Sequence, residues 1–169
     1  MEGEIVNRVA KSPLITLNLE EFYPKGERFG IDLSQWLEEG LILREQQFRD
    51  ALKAHAWETY TEGYVYLYCS TDAIVPAWAF MLIGSYLQGI AREVVVGSRE
   101  VLETLLFRKG LKTMDLEAYR GRPVIIKGCS NLPVPSSAYV WALQKVQEVA
   151  RSVMYGEACS SVPLYKRKV

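Results

Sequence analysis

The stretch that decides the fold is "YVYLYCSTDAIVPAWAFMLIG", residues 64–84. It opens with five aromatic or aliphatic residues, which is typical of a β-strand. An apolar segment of helix length follows at 75–90, and we expect it to be buried because it is apolar on every side. Two more runs of strand character, "EVVV" at 93–96 and "PVIIK" at 123–127, flank a helical pattern at 98–109. This alternation predicts a parallel sheet with right-handed crossovers.

The residues before this region predict a hairpin and helices. The alternating runs "LITLNL" at 14–19 and "FGIDL" at 29–33 are separated by "YPKGER", which carries the turn residues proline and glycine. This arrangement predicts an N-terminal β-hairpin. A short helix ending near Gly40 and a longer one within 44–60 are expected next.

The residues after position 127 complete the predicted sheet. A helical pattern covers 136–150, and "SVMY" at 152–155 is predicted as a fourth strand, followed by a solvated tail at 166–168. No repeat is evident beyond the similar strand ends. The predicted fold is therefore α/β: a parallel sheet of about four strands with flanking helices, preceded by the N-terminal β-hairpin and helices. We expect one domain over 1–169.

Composition excludes several classes of protein. Apolar residues make up 49% of the chain, enough for a substantial core, and 20 Lys plus Arg balance 20 Asp plus Glu. This balance argues against nucleic-acid binding, which favours a basic surface. The amino terminus lacks a signal-peptide pattern, and the longest apolar run, 73–84, is too short for a membrane span. We therefore expect a cytoplasmic protein without a membrane anchor.

All three cysteines share one local pattern. Cys69, Cys129 and Cys159 are each followed by serine and, within a few residues, by proline. Because parallel strands end at the same edge of a sheet, we expect the three thiols to meet at its carboxyl edge. There the serine would cap the next turn and the proline would stiffen the loop. The alternative is a purely structural role, in which each cysteine is a small residue of the core.

The first functional hypothesis is a metal site. In a reducing cytoplasm these cysteines are thiols, and thiolates select zinc or an iron–sulfur cluster. Asp72 and Glu157 lie close to cysteines in sequence and would complete the ligand shell, although Asp72 fits equally well as the cap of the following helix. His55 precedes the first parallel strand, so we interpret it as a surface residue at a helix end.

The second hypothesis needs no metal. A cysteine beside a helix amino terminus has the features of a nucleophile in a cysteine-dependent enzyme. Alternatively, Ser98 and Ser130, with nearby backbone N–H groups, would bind a small anion such as a phosphate or carboxylate. No glycine-rich phosphate motif is present. The sequence leaves open whether the protein is an enzyme.

Four distinctive stretches of the chain are "LEEFYPKGER", "CSTDAIVPAWAFML", "PVIIKGCS" and "VMYGEACSSVPLYK". Together with other parts of the sequence, they resemble one uncharacterised bacterial family catalogued as a domain of unknown function. The resemblance implies a gene neighbourhood beside the sulfur-mobilisation machinery, hence iron–sulfur assembly proteins as partners. It favours the hypothesis that the protein binds a metal ion or iron–sulfur cluster as an accessory to cluster assembly.

Overall fold

The structure is a computed structural model that describes residues 13–128, 131–157 and 159–168. Two compact units divide the chain: the central unit is Lys25–Glu103, and the terminal unit comprises the described parts of Met1–Pro24 and Thr104–Val169. The described strands are β1 Ile15–Leu17, β2 Arg28–Asp32, β3 Tyr64–Tyr68, β4 Glu93–Val96, β5 Pro123–Lys127, β6 Ser152–Glu157 and β7 Ser160–Lys166. The described α-helices are α1 Glu45–Ala54, α2 Ala77–Leu87, α3 Arg99–Lys112 and α4 Ser136–Val146.

The central unit contains a three-stranded parallel sheet in the order β2-β3-β4. Helices α1 and α2 pack on one face of it, because each has an apolar stripe at helical spacing. Phe48 and Leu52 are the buried residues of α1, and the stripe of α2 consists of Ala79, Ile83 and Leu87. Together with buried residues of β2 and β3 they form the core of this unit.

The terminal unit contains a four-stranded sheet in the order β1-β5-β6-β7. The first three strands are parallel, and β7 returns antiparallel to β6 through a tight hairpin. Its core joins one face of the sheet to α4 and the second half of α3. Strand β7 lies at the edge, where Pro163, a register shift opposite it and Lys166 discourage pairing with another chain.

The two units repeat one order of elements. Each begins with a short strand and a 3-10 helix, Leu19–Phe22 or Leu33–Trp36, and continues through an α-helix, a second 3-10 helix, a strand, an α-helix and a strand. Three pairs of elements begin 59 residues apart: β3 at Tyr64 and β5 at Pro123, α2 at Ala77 and α4 at Ser136, β4 at Glu93 and β6 at Ser152. The chain thus contains two copies of one α/β unit. The central copy is inserted between β1 with its 3-10 helix and the rest of the terminal copy, and β7 is added to the terminal copy.

Buried residues follow the same spacing. Phe48 and Leu52 of α1 precede Phe107 and Leu111 of α3 by 59 residues, and all four are fully buried. Tyr60, Pro76 and Ala79 match Tyr119, Pro135 and Ala138 in the same way. The expectation of no repeat beyond the strand ends is therefore wrong.

The predicted N-terminal hairpin is also wrong, because β1 pairs with β5 and β2 pairs with β3, both in parallel. The Asn18 side chain accepts a hydrogen bond from the Glu20 backbone N–H at 3.2 Å, which ends β1 and starts a 3-10 helix. The turn residues at 23–28 therefore do not join two paired strand ends. Each short strand is instead the first strand of its own unit.

The α/β class with a four-stranded, mostly parallel sheet is confirmed, but the membership of that sheet differs from the prediction. The predicted strands at 64–68 and 93–96 lie in the central sheet, whereas those at 123–127 and 152–155 lie in the terminal sheet. Burial of α2 on every side is wrong as well, since Met81 is largely exposed.

No described helix combines the length and apolar character needed to cross a bilayer. Cytoplasmic location and a single domain over 1–169 stay predictions.

Candidate ligand-binding cleft

The carboxyl ends of β2, β3 and β4 form one edge of the central sheet, because the three strands are parallel. Asp32, the last residue of β2, ties this edge together. Its Oδ1 atom accepts hydrogen bonds from the backbone N–H groups of Ser34 and Ser70, each at 3.0 Å. Burial raises the pKa of the Asp32 carboxyl, but hydrogen bonds from Ser70 and Ser34 have the larger combined effect and lower the pKa to about 2. Asp32 is therefore ionised near neutral pH and joins the ends of β2 and β3 through these hydrogen bonds.

The connections that leave β3 and β4 pass to opposite faces of the sheet. Neighbouring residues of a strand point to opposite faces, so Tyr64 and Val65 define the two sides of β3. Helix α2 packs in the core that contains Val65. Glu103 of α3 instead accepts hydrogen bonds from Arg28 at 3.0 and 3.2 Å, and the Arg28 guanidinium lies 5.0 Å from the Tyr64 ring centroid. Divergence of this kind opens a crevice at the sheet edge, where α/β proteins place ligands.

A cleft of about 540 Å³ lies at this position. Its size falls within the range of small-molecule sites. The side walls are largely apolar and aromatic, contributed by Tyr66, Tyr68, Phe80 and Val96. Polar groups come from the ends of the two strands: Cys69 after β3, and Gly97, Ser98 and Arg99 after β4.

The turn between β4 and α3 is held in one conformation. Gly97 has φ 138°, a region that side chains disfavour, and an added Cβ would lie 3.1 Å from Val101. The Ser98 hydroxyl accepts a hydrogen bond from the Val101 backbone N–H at 3.4 Å and so caps the helix. The first turn of α3 is thereby fixed against the cleft.

Cys69 is half-buried, and its Sγ lies 3.3 Å from the Thr71 hydroxyl oxygen. The hydroxyl hydrogen of Thr71 is donated to the backbone carbonyl of Gly40. A hydroxyl has a single hydrogen to donate, so the Cys69 thiol is the donor in its contact with Thr71. The Cys69 side chain is therefore held at the cleft wall by its hydrogen bond to Thr71.

The structure brings together two of the residues predicted for function, Cys69 and Ser98. Asp72 lies apart from them, in a neighbouring groove of the central unit. It is not the cap of α2 either, because that helix begins after Pro76 without a side-chain cap.

Glu157 and Cys159 lie in the terminal unit at the β6–β7 hairpin, and both are exposed. Cys129 and Ser130 fall outside the described residues. Within the described part of the chain, no three His, Cys, Asp or Glu residues are grouped as metal ligands. The zinc or iron–sulfur hypothesis therefore stays a prediction.

The repeat shows that the cysteines do not match one another in position. Cys69 and Cys129 are 60 residues apart, one more than the spacing of the repeat. The position that matches Cys69 is Gly128, where an added Cβ would lie 3.2 Å from Gly156 Cα and from the Tyr155 ring. A Cβ there would require the Gly156 backbone or the Tyr155 ring to shift by a few tenths of an ångström.

His55 was expected at the surface of a helix end, and only the helix end is confirmed. It follows α1 and is half-buried among aromatic rings, 4.6 Å from Trp57 between ring centroids. Its Nε2 lies 2.8 Å from the Tyr60 hydroxyl. Burial lowers the pKa of His55. The residue is part of the aromatic packing of the central unit.

The aromatic wall of the cleft was not predicted from the sequence. Tyr66 and Tyr68 alternate along β3, with ring centroids 5.6 Å apart, and therefore share one face of the sheet. The signal is present in "YVYLY" as three tyrosines at every second position. Phe80 had no comparable signal, because α2 is apolar throughout.

Comparisons with known proteins identify a family but no characterised relative. No curated protein and no solved structure matches the chain. A family model described as "Protein of unknown function (DUF2480)" matches residues 3–167, nearly the whole chain. The chain therefore belongs to the DUF2480 family.

Proposed function

We propose that the central unit binds a small molecule with an apolar body and an anionic group in the cleft between β3 and β4. The observation that carries this proposal is the cleft itself, at the divergence of two connections, with Cys69 and Ser98 on its walls. It develops the hypothesis of small-anion binding that the sequence suggested, with the site in the central unit.

The walls favour a ligand with an apolar or aromatic body. The aromatic residues Tyr66, Tyr68 and Phe80 line the cleft, and aromatic surfaces bind flat apolar groups. A purely inorganic anion would leave this surface in contact with water. We therefore expect the body of the ligand to contribute much of the binding free energy.

The anionic group would lie at the amino terminus of α3. This helix has 14 residues, so its first turn carries a partial positive charge beside Ser98. Arg99 is 3.8 Å from Glu103, but that buried carboxylate is already hydrogen-bonded by Arg28. With a largely exposed side chain, Arg99 keeps donors for a ligand carboxylate or phosphate.

Cys69 would contact the ligand as a thiol. Its hydrogen bond to the Thr71 hydroxyl holds the thiol at the cleft wall. This contact supports a role for Cys69 in binding. Metal or cluster binding by three cysteines, with iron–sulfur assembly proteins as partners, stays a separate proposal from the sequence.

Calorimetric titration with three probes tests the proposal. Phenyl phosphate should bind, whereas phenol and inorganic phosphate, which each lack one half of the ligand, should bind at least about tenfold more weakly. Ser98→Ala should weaken phenyl phosphate binding at least about tenfold, because a hydrogen bond to a charged group is worth about 1.5–3 kcal/mol.

Asn18→Ala is the matched control, since it also removes a helix cap but lies in the terminal unit. Absence of phenyl phosphate binding, or equal losses in both variants, would contradict the proposal.

A further inference from the structure

The two copies of the α/β unit share one strand register at the edge that carries the cleft. In the central copy, Val96 of β4 pairs with Leu67 of β3. In the terminal copy, Tyr155 of β6 pairs with Ile126 of β5, and both residues lie 59 positions after those of the first pair. Tyr155 therefore holds the position that Val96 occupies on the wall of the cleft.

The Tyr155 ring lies against the counterparts of two residues that line the cleft. Its centroid is 5.7 Å from that of Tyr139 in an edge-to-face arrangement, and Tyr139 lies 59 residues after Phe80. Its hydroxyl is 3.4 Å from the carbonyl oxygen of Gly128, the counterpart of Cys69. Phe80 and Cys69 both line the cleft. The terminal copy thus places its own aromatic ring where the central copy has open space.

Valine at position 96 leaves this space open in the central copy. The Val96 side chain carries no ring, and the residue is more than half exposed at the cleft. Cys69 adds a Cβ that Gly128 lacks, and a Cβ at Gly128 would lie 3.2 Å from the Tyr155 ring. A ring that is not tethered to the chain can shift by a few tenths of an ångström and stay in contact with Cys69.

The anionic half of the ligand has no counterpart in the terminal copy. Ser98 caps α3, whereas Glu157, 59 residues later, is exposed and leads into the β6–β7 hairpin. An anion beside the Glu157 carboxylate would be repelled. The terminal copy therefore fills the space for a ring and lacks the groups for an anion, so we expect one ligand per chain.

We propose that the ligand carries a single aromatic ring, which occupies the space bounded by Phe80, Cys69 and Val96. We call this space the ring site. The anionic group attached to the ring points toward Ser98. Val96 determines this specificity, because a larger side chain there would take the place of the ring. The inference rests on the proposed function, to which it adds the chemical class of the ligand and the residue that keeps the site open.

Val96→Tyr tests the ring site, because it gives the central copy the residue that fills the terminal copy. Calorimetric titration should find one phenyl phosphate per wild-type chain and at least about tenfold weaker binding by Val96→Tyr. Because Val96 is largely exposed, the variant should fold, as an unchanged thermal midpoint would verify. Val96→Phe, which adds the same ring without a hydroxyl, provides a second test.

Val140→Tyr is the matched control, the same substitution at an equally exposed valine in α4 of the terminal unit. It should bind phenyl phosphate like the wild type. Cyclohexyl phosphate, whose saturated ring cannot make aromatic contacts, should bind the wild type about threefold or more weakly than phenyl phosphate.

Alkylation of Cys69 by iodoacetamide tests the ring site without any ligand. In Val96→Tyr the new ring should cover Cys69 and slow its reaction about fivefold or more, because the rate depends on access to the thiol. If the wild type does not bind phenyl phosphate, the proposed function fails, and slowed alkylation of Cys69 in Val96→Tyr would still support the ring site. The inference is overturned if that variant alkylates or binds phenyl phosphate like the wild type, if Val140→Tyr loses as much affinity, or if both phosphates bind equally.

Discussion

Replacement of one phenylalanine by alanine in each unit tests the structural repeat. Phe48 lies in the core of the central unit and Phe107 in that of the terminal unit, 59 residues later, and both are fully buried. Replacement of a buried phenylalanine by alanine costs about 3–5 kcal/mol, from lost burial and the cavity left behind. We expect Phe48→Ala and Phe107→Ala each to lower the free energy of unfolding by an amount in this range.

Urea unfolding measures these losses, and hydrogen exchange shows which unit each change loosens. Phe48→Ala should speed exchange most in β2, β3 and β4, and Phe107→Ala in β1, β5 and β6. Met81→Ala and Val140→Ala, also 59 residues apart but exposed, should each change the free energy of unfolding by less than about 0.5 kcal/mol. A cost below about 1 kcal/mol for either phenylalanine, or faster exchange mainly in the other unit, would refute the assignment of two equivalent cores.

Three further predictions concern Asp32, Gly128 and the cysteines. Acid should destabilise the protein through Asp32. Its folded pKa of about 2 lies below the ordinary aspartate value of 3.8, so its stabilising contribution is present above about pH 4 and is lost as the pH falls toward 2. Asp32→Asn should flatten that part of a pH-dependent unfolding curve. Gly128→Ala should lower the free energy of unfolding by about 1–3 kcal/mol in urea titrations, because the added methyl meets the backbone of the adjacent strand; no loss would show that the strand ends move apart easily. If the metal hypothesis holds, elemental analysis should find stoichiometric zinc or iron that single serine variants of Cys69, Cys129 and Cys159 lack, and full metal content in all three variants would reject it.

Local sequence patterns predicted the strands well, but not their partners. The runs at 64–68, 93–96 and 123–127 coincide with β3, β4 and β5, because buried parallel strands are short and rich in aliphatic or aromatic residues. Strand partners depend on contacts far apart in sequence. Here β1, with three residues, pairs with β5, and β2, with five, pairs with β3. Such short strands resemble the arms of a hairpin.

The repeat was obscured because its two copies share apolar character and the spacing of their elements more than residue identity. Trp57 in the first copy matches Leu116 in the second, and Ile83 matches Ala142, at the same 59-residue spacing. Loop residues differ further, with "STDAIVP" in one copy and "CSNLPVP" in the other. The spacing of helices and strands, which is known only from the structure, reveals the repeat more clearly than residue identities do.

The candidate site was predictable in part. Reasoning from the carboxyl edge of a parallel sheet correctly placed Cys69 and Ser98 together. The same reasoning expected Cys159 to be in an equivalent place, but β6 is followed by a hairpin turn and β7 instead of a helix. The strand β7, which "SSVPLYK" forms, was missed because an exposed edge strand with a proline has weak strand character.

The most direct test of the cleft is the alkylation rate of each cysteine by iodoacetamide, resolved by mass spectrometry, with and without phenyl phosphate. Cys159, exposed at the β6–β7 hairpin, serves as the internal control. Without ligand, half-buried Cys69 should react more slowly than Cys159. Phenyl phosphate at up to about 10 mM, enough to fill a site of sub-millimolar affinity, should slow Cys69 about tenfold and leave Cys159 unchanged. An unchanged rate at Cys69, or equal slowing of both thiols, would contradict the assignment of this cleft as the ligand site.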